Sequence, residues 1–406
     1  MDFDDTPEEA KFRAEARAWL DAHAPAKGGP DDFSTGYSVG SLPERDYLAR
    51  CQSWQAQLGQ AGWAGITWPR AFGGRGANAI QATIFAQEQA RYGVSTGPFT
   101  VGIGMAGPTI IAHGTDRQKQ RYLPPLLRGE ELWCQLFSEP GAGSDLAGLS
   151  TRAERDGDQF VVNGQKVWTS GAHYSRFGIL LARTDFEQPK HRGITYFVLD
   201  MTTSGIEVRP LRQMTGASHF SEVFLSDVRI PVGDVLGQVD GGWAVAMTTL
   251  ANERMAIGAG GGVKFADMAG LARARGRAGD PLMRQALAAA YTREQILTYL
   301  GFRVQTALSR GALPGPEASV TKLFYAGHLK RTCDLALALQ GVSGVIAQGD
   351  AAWQHQFLQA PSIRIAGGSD EVQRNVLGER VLGLPGEPRL DKDVAFRNIP
   401  SAGLER

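Results

Sequence analysis

The sequence predicts a multidomain α+β protein in which helices, then strands, then helices occupy three consecutive regions. Three observations carry that reading. The chain has 406 residues, too many for one ordinary hydrophobic core. Residues 131–240 hold short strand-like runs separated by turn residues and by no helix, whereas the flanking regions show helical periodicity. The order excludes βαβ alternation. It places a helical domain at 1–130, an antiparallel β-domain at 131–240 and a second helical domain at 241–406.

In the first region Pro7 opens a helix whose apolar stripe is Phe12, Ala16, Trp19 and Leu20. "PERDYLARCQSWQAQLGQAGW" is a second helix, "GITWPRAFGGRGAN" a loop and "AIQATIFAQEQARYG" a third helix, with "RQKQRYLPPLLRGE" closing the region. The middle region opens with "QFVVNGQKVW", which alternates around Asn163–Gly164, the strongest short hairpin signal. Trp168 and Ser170 then fall on the second arm of the expected hairpin. "FGILLART", "GITYFVLDM", "GIEVRPLR" and "SEVFLSDVRIP" follow as further strands. Helices return after "GGW" at 241–243. Asp280 as N-cap and Pro281 at the first helical position start a long one, and "PEASVTKLFYAGHLKRTCDLALALQG" and "DEVQRNVLGERVLG" complete the set.

Lys plus Arg and Asp plus Glu balance at 42 each, which removes any global field for nucleic acid or an anionic membrane. No apolar run is long enough to span a bilayer. The acidic, then amphipathic start is not a signal peptide. Cys51, Cys134 and Cys333 are far apart and in no metal-like spacing, an arrangement that fits a reducing cytoplasm. The scattered histidines suggest neither a metal site nor a triad.

Two segments concentrate chemistry. In "LFSEPGAGSDLAGLST" (136–151), Gly141, Ala142 and Gly143 remove side-chain bulk, so Ser138, Ser144 and free backbone N–H groups could approach a phosphate or a polar ring. A plain glycine-rich surface loop is the other reading. It is not a dinucleotide fingerprint, because the loop leads into strands. Trp168 is either strand core or an indole wall for a planar cofactor. A third feature is Glu253, within "TTLANERMAIGAGGG". At helical spacing it lies among Ala246, Thr249, Leu250, Ala256, Ile257 and Gly260, on a face that normally points inward. Arg254 is adjacent and cannot face it on a helix.

"FSEPGAGSD", "NGQKVWTSG" and "GGSDEVQRNVLGERVLGLP" (367–385) together resemble three ordered signatures of the acyl-CoA dehydrogenase family, and the likeness runs through the whole chain. It implies an N-terminal helical domain, a middle antiparallel β-domain and a C-terminal four-helix bundle, with FAD as cofactor. The implied reaction is α,β-dehydrogenation of an acyl-CoA to the trans-2-enoyl-CoA, the β-hydride passing to flavin N5. The stretch Gln135, Leu136, Phe137, Ser138 to Gly143 and Ser144 looks like the loop along the flavin. Trp168, Thr169 and Ser170 look like the segment against its ring. Ser369, Asp370 and Glu371 match a further cofactor segment. Ser144, Arg254 and Gly368 match positions near the substrate.

In many members the base is a Glu directly before the C-terminal glycine motif, where this chain has Gly367. A minority, the isovaleryl- and long-chain-type enzymes, carry it on the first long C-terminal helix in a Glu-Arg pair that matches Glu253-Arg254. The resemblance therefore assigns Glu253 as base and leaves Gly367 to offer its N–H to the thioester oxygen. The usual Arg-x-x-Phe-Gly contact to a neighbouring subunit's FAD is missing; Arg273, Arg275 and Arg277 stand in that region. Expected partners are an electron-transferring flavoprotein and either further copies, as a dimer or tetramer, or a related chain in a heterotetramer. Alternatives on the same scaffold are a flavin monooxygenase, a dehydrogenase for carrier-bound acyl groups, and a partner subunit completing another chain's FAD site.

Overall fold

The structure, a computed structural model, describes residues 5–35, 42–258, 264–309, 315, 318–347, 351–386, 388, 389 and 391–399. The chain forms two compact units, one of Glu8–Arg254 with Pro388–Arg406, the other of Met1–Pro7 with Met255–Glu387.

The first unit begins with α1 (Pro7–His23), α2 (Glu44–Gln60), α3 (Ala79–Gln89), α4 (Gly107–His113) and α5 (Asp116–Leu127). Phe12, Ala16 and Leu20 are buried as the α1 periodicity requires, with Trp19 packed beside them. Reciprocal capping boxes start α3 at Asn78–Gln81 and α5 at Thr115–Gln118. Glu88 of α3 is almost fully buried and accepts from Arg13 and Arg17 of α1 and from Arg91. That shared carboxylate fixes α1 against α3.

The middle of this unit is one sheet of seven strands: β1 (Trp133–Leu136), β2 (Arg152–Asp156), β3 (Gln159–Ser170), β4 (Phe177–Arg183), β5 (Ile194–Asp200), β6 (Ile206–Leu211) and β7 (Phe220–Pro231). Their order is β1-β4-β2-β3-β7-β6, with β5 also on β4. Antiparallel pairing dominates, as expected, but β1 joins β4 in parallel and β2 touches β4 in parallel at Arg152↔Arg183. β4 is buried along its whole length, which explains its unbroken apolar run.

The hairpin expectation needs correction. Asn163–Gly164 is not a turn; it lies inside β3 at a register shift opposite β7. The turn joining β2 to β3 is instead at Gly157, whose φ is 64°. The cause is tertiary. Asn163 exchanges two hydrogen bonds with Asp227 of β7, at 3.0 and 2.8 Å. A Cβ at 164 would come within 2.5 Å of the Thr151 hydroxyl, so glycine is there to let two strands approach rather than to reverse the chain.

α6 (Gly242–Gly258) leaves this sheet. At Gly242 a Cβ would sit 2.6 Å from the Tyr196 backbone nitrogen, so the helix starts pressed against β5. The second unit contains α7 (Phe265–Ala274), α8 (Pro281–Ser309), α9 (Ala318–Gln340), α10 (Ala352–Ile363) and α11 (Asp370–Val376). Met268, Ala272, Leu287, Ala290, Leu335, Ala336 and Leu339 form its core. Asp280 caps α8 by accepting from Leu282 N at 2.9 Å and Met283 N at 3.4 Å, as the Asp-Pro pair predicts.

Candidate active site

The glycine-rich loop is held by one buried charge. Glu139 accepts from Ser150 N (2.7 Å), Ser150 Oγ (3.0 Å), Thr151 N (2.9 Å) and Lys166 Nζ (2.8 Å). Lys166 is fully buried and also donates to the Phe137 carbonyl at 3.1 Å. Val167 N donates to the Ser138 carbonyl, so the loop is fastened to β3 along its first half. Burial alone would raise the Glu139 carboxyl, but Lys166 and the loop N–H groups outweigh it and hold the pKa down at about 2. Glu139 and Ala142 bond each other's backbone in both directions. The turn between them leaves Gly143 and Ser144 exposed, and a Cβ at Gly143 would meet nothing within 4 Å. The loop's outer edge is open to a ligand.

Next to it, β3 breaks its register with β7 between Lys166 and Thr169. Within that bulge Trp168 has a φ of 61° and is 61 % exposed. A left-handed conformation is a genuine outlier for so bulky a residue. It turns the indole outward instead of into the core, and Phe220 braces it edge-on at 6.0 Å. Ser170 is exposed too, while Thr169 is fully buried between them. Of the predicted cofactor residues, Ser138 is half-buried and Leu136 and Phe137 are buried. The side chains of Leu136, Phe137 and Thr169 are buried, and the Thr169 hydroxyl has no hydrogen-bond partner among the described residues.

α6 is anchored one turn before Glu253. Thr249 is fully buried and shares hydrogen bonds with Tyr196 Oη (3.0 Å) and Thr109 Oγ1 (2.9 Å), while Thr248 meets His113 Nε2 at 2.8 Å. Ala246 is buried and Leu250 half-buried, so the face reads as the spacing predicts. Glu253, at i+4 from Thr249, is half-buried. Gln135 of β1 donates from Nε2 to its Oε2 at 3.2 Å. The side chains of Arg254, Ala256 and Ile257, and Gly260 as a whole, lie outside the described residues.

In the second unit, Gly367 and Gly368 take φ values of 65° and 84°, which only glycine adopts without strain. Gln373 Nε2 donates to both carbonyls, at 2.9 and 3.4 Å. Ser369 caps α11 through its Oγ. Asp370, matched by resemblance to a cofactor segment, is buried in an ion cluster with Arg364 (2.7 Å) and Lys322 (3.5 Å). Burial lowers the Lys322 ammonium, and Asp370 offsets part of that. Glu371 is exposed.

The sequence reading missed the Glu139–Lys166 pair and the Gln135 contact to Glu253. The first has a visible signal, since Glu139 is followed by a glycine-rich stretch and Lys166 is the one charge in "FVVNGQKVW". The second has none.

Family models of the acyl-CoA dehydrogenase N-terminal, middle and C-terminal domains match residues 6–130, 134–228 and 240–382 in that order. The chain belongs to the acyl-CoA dehydrogenase family. It is 37 % identical over 393 residues to acyl-CoA dehydrogenase IpdE1 of Mycobacterium tuberculosis (strain ATCC 25618 / H37Rv), covering 93 % of this chain and 98 % of that protein. Among solved structures it resembles the Tcur3481-Tcur3483 steroid ACAD, with a TM-score of 0.81 and 30 % identity over 95 % of this chain and 100 % of that one. It also resembles the ChsE4-ChsE5 complex from Mycobacterium tuberculosis, with a TM-score of 0.76 and 30 % identity over the same shares. Acyl-CoA dehydrogenases are FAD-dependent oxidoreductases acting on CH–CH donors. An outward indole, the Ser170 hydroxyl and an open loop edge suit a flat polar ring system of that kind. No described helix is long and apolar enough to cross a membrane, and no described group of His, Cys, Asp and Glu could hold a metal ion.

Proposed function

We propose that this chain catalyses FAD-dependent α,β-dehydrogenation of an acyl-CoA thioester, with Glu253 as the base that takes the α-proton. The observation that carries the reading is the Gln135–Glu253 hydrogen bond. β1 runs from Gln135 straight into the loop at Ser138, so one strand both orients the carboxylate and starts the loop proposed to line the cofactor. Bound FAD supplies the two-electron acceptor for the hydrogen leaving the β-carbon. Trp168 would stack on its ring, Ser170 and Ser138 would hydrogen-bond ring edges, and Gly143–Ser144 would approach its phosphates with main-chain N–H groups.

Glu253 needs a fixed direction and partial desolvation to act on a weakly acidic carbon. Gln135 and the Thr249 anchor provide the first, and its half-buried position the second. As the α-proton leaves, charge develops on the thioester oxygen and requires donors. On the resemblance alone we assign one of these to the Gly367 N–H, and we assign Gly368 and Arg254 to the substrate and Ser369 and Glu371 to the cofactor. Asp370, whose side chain is taken up by Arg364 and Lys322, would contribute main chain only.

Two structurally similar proteins, the Tcur3481-Tcur3483 steroid ACAD and the ChsE4-ChsE5 complex, are two-chain assemblies. We therefore infer a heteromer with a related chain, and a bulky, steroid-derived acyl-CoA as the first substrate to try. Exposed Tyr291, Ile296 and Tyr299 on α8 offer apolar surface for such an assembly. An electron-transferring flavoprotein is the proposed acceptor. Three buried free cysteines suit a cytoplasmic location.

The test is Glu253→Gln. It should retain bound flavin yet lose its bleaching by acyl-CoA, by about 1,000-fold or more if the carboxylate is the base. Bleaching within tenfold of the unaltered enzyme would remove Glu253 from the reaction. A panel of acyl-CoAs, tried on the chain alone and co-expressed with a related chain, identifies substrate and assembly.

A further inference from the structure

Residues 391–399 lie far from the glycine-rich loop in sequence, yet they belong to the same unit. Ala395 pairs with Pro189 in an antiparallel bridge. Phe396 N donates to the Gln188 carbonyl at 2.9 Å and Arg397 N to the Phe186 carbonyl at 3.1 Å, so the arm, with a single 3-10 turn at Phe396–Asn398, is fastened along residues 186–189. Arg397 also pairs with Glu187. The Phe396 side chain is fully buried.

What Phe396 covers is the Arg183 guanidinium, whose carbon lies 3.5 Å from the ring centroid. Arg183 closes β4 and is itself fully buried. Four of its hydrogen bonds go to main-chain carbonyls: Ala147 at 2.7 Å, Leu149 at 3.1 Å, Lys190 at 3.1 Å and Arg192 at 3.1 Å. Two of these acceptors lie in the second half of the glycine-rich segment, and two lie just past the residues 186–189 that the arm contacts. A guanidinium donates only in its plane, so its faces need an apolar or aromatic cover once water is excluded. Phe396 is that cover. A second link runs through Lys190, which bridges Asp145 at 2.9 Å and Asp391 of the arm at 2.5 Å. Asp145 is the residue after Ser144.

We infer that the arm 391–399 is a positioning element of the cofactor loop: it seals Arg183 and shares Lys190, and both hold residues 145–149 in place. Glu139 ties the two ends of the same loop together through Ser150 and Thr151, and the arm supports the residues between, at 145–149. The inference rests on the proposed flavin site for its consequence but not for its mechanics. It makes a C-terminal segment outside the three matched domain regions part of the binding machinery.

The experiment is hydrogen exchange on the full chain without cofactor, comparing Phe396→Leu, which keeps bulk but loses the aromatic face, Phe396→Ala and Asp391→Asn. Peptides covering 143–150 should exchange about tenfold faster in both Phe396 variants and about threefold faster in Asp391→Asn, while β4 and β5 change by less than about twofold. FAD affinity, read by quenching of flavin fluorescence, should fall about fivefold or more in Phe396→Leu. Unchanged exchange at 143–150 overturns the proposal. So does equal acceleration across the sheet, or loss of the folded unit in all three variants, since either makes the arm a general strap. If the unaltered chain takes up no FAD, the flavin reading fails by itself and the exchange data still decide the role of the arm.

Discussion

Gln135 Nε2 donates to Glu253 Oε2 at 3.2 Å, joining the first strand of the β-region to the helix that leaves it. An amide can orient a carboxylate without competing for its proton. Replacing Gln135 by Leu should lower kcat on the order of 10- to 100-fold through loss of alignment, with KM little changed. Stopped-flow reduction by a good acyl-CoA checks this. An unchanged kcat would mean that the hydrogen bond does no orienting in the reacting complex.

Trp168 holds a left-handed backbone while its indole stays largely in solvent. Such strain costs about 1–3 kcal/mol, and Gly removes it at an entropic cost of about 0.5–1 kcal/mol. Trp168→Gly should therefore leave the cofactor-free chain as stable or slightly more stable, while FAD affinity falls. Urea unfolding paired with flavin titration measures both. A loss of more than about 2 kcal/mol would show that the indole is core after all.

Lys166→Met would strand the Glu139 carboxylate in the interior, at a cost of about 3–5 kcal/mol. Glu139→Gln in the same chain should recover part of that loss, and a double-mutant cycle by urea unfolding reads the coupling. The pair also sets an acid limb. Glu139 is held at about 2 when folded against about 4.3 when unfolded. Its contribution, about 3 kcal/mol, is complete above the unfolded value and is lost as pH falls from there through the folded value. Glu139→Gln should flatten stability over that window.

Thr249 joins α6 to β5 and α4 through Tyr196 and Thr109. Thr249→Val keeps the shape but leaves two buried hydroxyls short of a partner, costing about 1–3 kcal/mol. Because Glu253 follows one turn later, kcat should fall more than KM changes, and Thr249→Ser should restore both. Thermal unfolding and steady-state rates on the same samples test this. A stability loss without any kcat effect would separate the anchor from the proposed base.

Much of this protein was readable along the chain, because each of those features depends on neighbours within a few residues. The periodicity of α1, the Asp280–Pro281 start of α8 and the unbroken apolar run of β4 are local matters of side-chain spacing and backbone propensity. The motifs that mark the family are local too, as is the inward face on which Glu253 sits. The tertiary structure decided whatever required two distant segments to meet. Asn163–Gly164 became a bulge because Asp227 and Thr151 lie against it. Trp168 turned outward and Thr169 inward because β3 slips against β7. Asp370 turned into an ion cluster because Arg364 and Lys322 reach it. Gln135 found Glu253, and Phe396 found Arg183, only on folding. Such pairings depend on how buried polar groups find donors and acceptors in three dimensions, and spacing along the chain carries no record of that.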